Sequence, residues 1–174
     1  MKYVALLRGV NVGTTKRIEM KRLKEIFQNN GLENVSTYIN SGNIIFESGK
    51  EKKIIHSELE LLLFKEFKFS IPLLIKTKKE LQRIVHVIPS EWVNDDTQRT
   101  DVAYLFDTID YKAAIEKLPF RKDYIDVRYT KGALYWNVRR ENYNKSHLNK
   151  LIGNELYQHM TIRNINTARY LADY

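Results

Sequence analysis

Cysteine is absent from the 174 residues, and long apolar runs are absent as well. Without cysteine the chain has no structural disulfide, no thiolate metal site and no thiol nucleophile. The first apolar run, "YVALL" at residues 3–7, stops at Arg8 and is too short for a signal peptide. No window approaches the length of a membrane span. These absences predict a protein of the reducing cytoplasm without a membrane partner.

Metal-binding and cofactor motifs are lacking too. The 4 histidines are scattered along the chain, and none lies in a ligand spacing such as H-E-x-x-H. We therefore predict neither a metal nor a cofactor.

Charge is plentiful and predominantly positive. The net charge is +8 and the pI is about 9.5, which points to a polyanionic partner such as nucleic acid. The cations are dispersed, however: residues 1–77 hold 13 Lys and Arg against 8 Asp and Glu, and residues 78–174 hold 16 against 13. Interspersed charges such as "EMKRLKE" at residues 19–25 are typical of a solvated helix face. Charge alone therefore does not decide between a nucleic-acid partner and an ordinary soluble surface.

The first half of the chain has a clear order of strands and helices. Short apolar runs predict strands, and apolar residues at helical spacing predict helices. The strands are expected at residues 2–8, 35–40, 43–48 and 71–76, and the helices at 19–31 and 51–67. This order, β-α-β-β-α-β, is that of the ferredoxin-like plait.

The second half is less regular. A capping box at residues 77–80 opens a helix, and the polar stretch 89–100 is typical of a linker. Beyond it we predict a strand at 101–106, a helix at 110–118, a hairpin around Lys131-Gly132, and helices at 146–157 and 164–172. The fold class is thus α+β: a ferredoxin-like domain at 1–77, a helix and linker at 78–100, and a second small α+β lobe at 101–174 with two C-terminal helices.

The plait predicts where a binding site would lie. Its first crossover makes the strands at 2–8 and 35–40 parallel, so the loop after the first and the turn after the second share one end of the sheet. Cations, amides and a hydroxyl gather there, a combination that suits an anion or phosphate. The candidate ligand-binding residues are Arg8, Asn11, Lys16, Arg17, Asn40, Ser41 and Asn43.

Two features of this stretch limit the prediction. "GVNVGTTK" at residues 9–16 is not a P-loop, because only three residues separate its glycines and two threonines precede Lys16. The alternative is that Arg8 and the asparagines tie the loop to the turn while the glycines serve the turns.

A second polar cluster lies near the C-terminus. Arg163 and Asn164 precede a predicted helix, where a guanidinium and exposed N–H groups could complete an anion site. Helix capping by Ser146 and by Thr161 or Asn164 is the alternative.

Several of these residues resemble one family. "YVALLRGVNVG" at residues 3–13, "TYINSGN" at 37–43, Ser146 with Leu148, and "TIRNINT" at 161–167 are similar to the bacterial family catalogued as domain of unknown function 1697. The chain departs from the family pattern at Thr14, His147 and Ile165. The resemblance implies a two-lobed α+β protein with a ferredoxin-like first domain and no established activity.

Three functions stay open at this point. The first is binding of nucleic acid or a phosphorylated small molecule, in which Tyr3 could serve for base stacking although the third strand lacks the aromatics of RNA-recognition motifs. The second is an enzyme that holds an anionic substrate between the lobes through Arg8, Asn43 and Arg163. The third is an assembly module anchored by Trp92, Tyr135 and Trp136, for which core packing is the alternative. The sequence does not determine the oligomeric state.

Overall fold

Each half of the chain builds its own four-stranded antiparallel sheet. The computed structural model describes residues 1–11 and 17–174, and the chain divides into two units, Met1–Lys78 and Lys79–Tyr174. Among the described residues, no helix has the length and apolar character needed to cross a membrane.

The first unit is the predicted plait. Its elements are β1 (Lys2–Leu7), α1 (Met20–Asn29), β2 (Glu33–Tyr38), β3 (Asn43–Glu47), α2 (Lys52–Phe67) and β4 (Leu73–Thr77). The strand order is β2-β3-β1-β4, and each neighbouring pair is antiparallel. Since β1 and β2 both run antiparallel to β3, they are parallel to each other. The end of β1 and the β2–β3 turn therefore lie at the same end of the sheet, as predicted.

The core of this unit lies between the sheet and its two helices. Leu23 and Phe27 of α1 and Leu59 of α2 pack in one apolar cluster with inward residues of the strands. Phe46 of β3 is central to it, because its ring stacks on Tyr3 at 5.7 Å between centroids and meets Phe27 edge-on at 5.6 Å. The 3.6-residue spacing of apolar positions in the two helices is what allows this layer to form.

The second unit has the same sheet topology with different connections. Its elements are α3 (Lys78–His86), β5 (Gln98–Leu105), β6 (Ile125–Thr130), β7 (Ala133–Arg139), β8 (Met160–Asn164) and α4 (Ile165–Asp173). The strand order β6-β7-β5-β8 corresponds position by position to the order β2-β3-β1-β4 of the first unit. The second lobe is therefore also α+β, as predicted, and repeats the plait topology.

Two predicted helices of this lobe are wrong. The helix predicted at 110–118 is replaced by 3₁₀ helices at Asp107–Ile109 and Lys112–Lys117, and the one predicted at 146–157 by 3₁₀ helices at Leu148–Gly153 and Glu155–His159. Side chains that bond to backbone groups at the breaks explain both cases. The Asp110 carboxylate accepts from the Gly132 N–H at 2.8 Å, and Asn154 accepts from the Leu156 N–H at 2.9 Å.

The predictions also missed one strand and misplaced another. β8 was not anticipated; it pairs with β5, with Thr161 opposite Tyr104 and Arg163 opposite Val102. Its five residues include a threonine and an arginine, so its apolar alternation is weak. β5 begins at Gln98, inside the predicted linker, because the Asp95 carboxylate accepts from the backbone N–H groups of Thr97 and Gln98 and turns the chain into the strand.

One close backbone contact fixes the end of the first sheet. The Leu7 N–H donates to the Gly42 carbonyl at 2.8 Å, and the Arg8 N–H donates to the Pro72 carbonyl at 2.8 Å. Gly42 has a φ of +72°, and a Cβ placed on it would lie 2.6 Å from Val10 Cγ2 and 2.8 Å from Leu7 Cβ. Only glycine fits at this position.

We expect Gly42→Ala to lower the free energy of unfolding by about 3 kcal/mol or more, because left-handed strain and overpacking add. Gly9→Ala is the matched control: its φ is +71°, but among the described residues no atom beyond its chain neighbours lies within 4 Å of the added Cβ. Only the conformational cost of about 1–2 kcal/mol applies there. Urea unfolding of both variants measures the difference, and equal losses would contradict the close-contact explanation.

Candidate anion-binding site

The candidate site begins where β1 leaves the sheet. After Arg8 the chain bends, and it includes two left-handed residues, Gly9 at φ +71° and Asn11 at φ +55°. Asparagine tolerates this conformation better than most residues because its side chain can bond to nearby backbone groups. Asn11 makes such bonds here.

The side chain of Asn11 connects three parts of the chain. Its Nδ2 group donates to the Ile18 carbonyl at 2.9 Å and to the carbonyl and Oδ1 of Asn40, each at 3.1 Å. Its Oδ1 accepts from the Ile18 N–H at 2.7 Å. The two ends of the segment between residues 11 and 18 are thus held together, and both are joined to the β2–β3 turn. Lys16 and Gly13 lie outside the described residues.

The β2–β3 turn is held from inside by Asn43. This side chain is fully buried, and its Nδ2 group donates to the Tyr38 carbonyl and to Ser41 Oγ, each at 3.0 Å. Asn43 therefore supports the turn from inside the first unit. Ser41 is half-buried beside it, and Asn40 is exposed.

The turn also contains a strained residue that the sequence did not single out. Ile39 has a φ of +49°, and 51% of its surface is exposed. A β-branched residue is unfavourable in the left-handed region, and strain of this kind concentrates at functional sites. The one signal in the sequence is the placement of a bulky residue directly before "NSG", where a turn residue is expected.

Charged and amide groups line a cavity of about 500 Å³ at this end of the sheet. Its described lining consists of Asn11, Arg17, Ile18, Glu19 and Asn40. Arg17 is exposed, and Arg8 is half-buried at the end of β1. The structure therefore brings Asn11, Arg17 and Asn40 together around one cavity, with Arg8 and Ser41 on the adjoining backbone.

Arg163 and Asn164 directly precede the C-terminal helix, as predicted, and Asn164 caps that helix, which is the alternative that the sequence left open. Arg163 lies in β8 and is 7% exposed, and its Nη1 donates to Thr161 Oγ1 at 2.9 Å and to the Ile162 carbonyl at 2.8 Å. Burial lowers the pKa of Arg163 to about 10, because the charged form loses its hydration. Asn164 is the N-cap of α4 and accepts from the Thr167 N–H at 2.9 Å. Within the second unit, these two residues serve the strand and the helix cap.

Tyr104 lies on the same face of the sheet as Arg163. It is completely buried, and its hydroxyl finds no hydrogen-bond partner among the described residues. Burial raises the pKa of Tyr104, and the nearby positive charge of Arg163 opposes that shift. A buried hydroxyl without a partner is a local cost to the fold.

The aromatic residues proposed for stacking or assembly are buried. Tyr3 donates its hydroxyl to the Lys50 carbonyl at 3.0 Å and is 3% exposed. Trp136 belongs to the core of the second unit, and Tyr135 lies 6.0 Å from Trp92 between ring centroids. Arg128 covers the Trp92 ring at 4.6 Å. None of the four presents an open ring face of the kind that base stacking requires.

The described residues hold no group of three or more histidines and carboxylates that could bind a metal ion. The chemistry available at the first sheet's loop end is instead that of two guanidinium groups, the Glu19 carboxylate, amides and backbone N–H groups.

Two α+β units with the same four-strand topology define the class of this protein. A family model described as "Protein of unknown function (DUF1697)" matches residues 1–135, and the chain belongs to this family. The resemblance seen in the N-terminal motifs is thereby confirmed.

A solved structure supports the whole fold. The conserved bacterial protein SP0830 from Streptococcus pneumoniae is 28% identical, with a TM-score of 0.86 over 99% of this chain and 97% of that chain. No curated protein matches the sequence.

We expect Tyr104→Phe to leave the free energy of unfolding unchanged or to raise it by about 1 kcal/mol, because it removes an unpaired buried hydroxyl. Tyr129→Phe is the matched control, since Tyr129 donates to Asp110 Oδ1 at 3.0 Å. Losing that bond costs about 1 kcal/mol. Thermal and urea unfolding of both variants test this, and a destabilised Tyr104→Phe would show that the hydroxyl is satisfied in solution.

Proposed function

We propose that the protein binds a phosphate-bearing ligand, a nucleotide or nucleic acid, at the loop end of the first sheet. The observation that carries this proposal is the Asn11 network, which holds the loop after β1 against the β2–β3 turn. Arg8 and Arg17 both lie at this junction. A prearranged pair of turns with cations at its edge is suited to an anion, because little conformational freedom is lost on binding.

The strained isoleucine adds to the case for a nucleotide. Ile39 exposes an apolar side chain in the same turn as Asn40, which lines the cavity. A nucleotide offers both an apolar base and a charged phosphate, so one exposed apolar side chain beside cations and amides matches its two halves. The unfavourable φ of Ile39 then has a functional reason. Its apolar side chain would contact the base, which the glycine or asparagine usual at such a turn position could not do.

Base stacking on the sheet itself receives no support. Tyr3, the residue on β1 that could have served it, is buried under the Phe46 ring. The proposal therefore places the ligand at the loop end and not across the strands.

The test is fluorescence anisotropy with three probes: labelled single-stranded RNA, labelled single-stranded DNA and labelled ATP. Arg17→Ala is the primary variant because Arg17 is exposed, and Arg8→Ala is the second, with circular dichroism to check its fold. Lys53→Ala is the control: it removes an exposed cation at the N-terminal end of α2, away from the loop end. We expect Arg17→Ala to weaken binding about tenfold, the value of one charge-assisted hydrogen bond.

Salt dependence distinguishes the ligand classes. Affinity that falls steeply between two salt concentrations indicates a nucleic acid, since counterions are released from the phosphate backbone. A preference for ATP with a shallow salt dependence indicates a nucleotide. Equal losses in Arg17→Ala and Lys53→Ala, or no binding of any probe, would refute the proposal and leave the Asn11 network as a purely structural connection.

A further inference from the structure

Helix α2 is apolar on two opposite faces. Ile55, Leu59 and Leu63 point into the core of the first unit. On the outer side, Ile54, Leu61 and Phe64 are 49%, 55% and 53% exposed. An ordinary surface helix carries one apolar stripe and is polar elsewhere, so the second stripe needs a separate explanation.

The outer stripe follows a coiled-coil spacing. Ile54, Ser57, Leu61 and Phe64 are separated by three, four and three residues, which is the spacing of the a and d positions of a heptad. The stripe therefore has the width and direction of a seam that a second helix could pack along.

The charges that border this stripe are arranged for a partner of the same sequence. Lys53 and Glu60 occupy the g positions, and Glu58 and Lys65 occupy the e positions. In a parallel pair, each g residue faces the e residue five positions further along the other helix. Lys53 then faces Glu58 of the second copy, and Glu60 faces Lys65 of the second copy. All four contacts of the symmetric pair join opposite charges.

An antiparallel pair of the same helices is disfavoured. In that arrangement e positions face e positions and g positions face g positions. Near the centre of the helix this places Glu58 against Glu58 of the second copy, and Glu60 against Glu60 of the second copy. The sequence of charges thus selects the parallel orientation.

A cavity of about 280 Å³ adjoins the stripe on its e side. Leu32, which directly precedes β2, and Leu59, Leu61 and Leu62 of α2 contribute apolar lining, and Lys50 and Lys65 are among its polar residues. When a second copy packs beside Leu61, one of its large side chains can occupy this partly apolar cavity.

From these observations we infer that α2 is a self-association surface, on which a second copy of this chain docks to form a parallel two-helix interface. The helix is already formed within each copy of the chain, so association costs no helix formation. Its 16 residues span roughly 24 Å, and two heptads bury less than the roughly 800 Å² per partner of a standard interface. The dimer is therefore weak, with a dissociation constant of roughly 10 to 100 µM.

Sedimentation equilibrium of the full chain over a wide concentration range tests the interface. We expect the parent protein to show a monomer–dimer equilibrium and Leu61→Asp to be monomeric, because dimerisation would bury two unpaired carboxylates in the seam. Ile152→Asp is the control: Ile152 is 72% exposed in the second unit, and its replacement should leave the equilibrium unchanged. The inference is overturned if the parent protein stays monomeric at a protein concentration about ten times the upper limit of the expected dissociation constant. It is also overturned by a dimer that Leu61→Asp leaves intact.

Charge reversal tests the orientation independently of folding. Glu60→Lys or Lys65→Glu alone places like charges opposite each other twice in the parallel dimer, which should weaken it about tenfold. The double variant Glu60→Lys with Lys65→Glu restores both contacts and should restore the parent's dissociation constant. A double variant that remains weakened overturns the parallel arrangement, and circular dichroism of each variant reports whether α2 is intact.

Discussion

The hydrogen bond from the Leu7 N–H to the Gly42 carbonyl is the contact on which the loop end of the first unit depends. This bond places Leu7, the last residue of β1, directly against the β2–β3 turn. The two backbones can approach this closely only because Gly42 has no Cβ. Val10 can then approach the turn, and Asn11 comes within reach of Asn40. A single close approach of two backbones thus determines both the packing of this end and the geometry of the candidate site.

The two units reach the same strand order by different physical means. In the first unit, two α-helices with regular apolar faces cover the sheet. In the second, five short 3₁₀ helices occupy the corresponding connections, and individual side-chain bonds such as those of Asp110 and Asn154 hold them. Sheet topology therefore tolerates a change in the covering layer, provided that the connections have the length to return the chain and supply apolar residues to the core.

The sequence predicted the first unit well because its elements are strongly periodic. Apolar spacing identified all six elements to within a few residues, and the crossover rule then placed Arg8, Asn11 and Asn40 at one end of the sheet. The failures in the second unit come from contacts that a local pattern does not show. The 3₁₀ helices arise from side chains that compete for backbone groups, a contact that depends on residues distant in sequence, as in the bond from Gly132 to Asp110.

Arg163 and Ile39 show a second kind of limit. An arginine in a short polar strand has the pattern of an exposed residue, and nothing local indicates that β5 and α4 bury it. Ile39 has the pattern of a continued strand, and its left-handed φ appears only when the chain must turn within four residues to pair Tyr38 with Asn43. In both cases tertiary structure overrides the local preference, at the positions where a site or a strained turn is found.

The 3₁₀ layer of the second unit has a consequence for the way the protein opens. Bonds in 3₁₀ helices are less well aligned than those in α-helices, and runs of five or six residues have little cooperativity. Amide protons at residues 107–117 and 148–159 should therefore exchange with solvent through local fluctuations, while those in the centre of β5 and β7 exchange only when the sheet itself opens. The two topologically matched units would then differ in their hydrogen-exchange profiles, the first opening as a whole and the second losing its cover before its sheet.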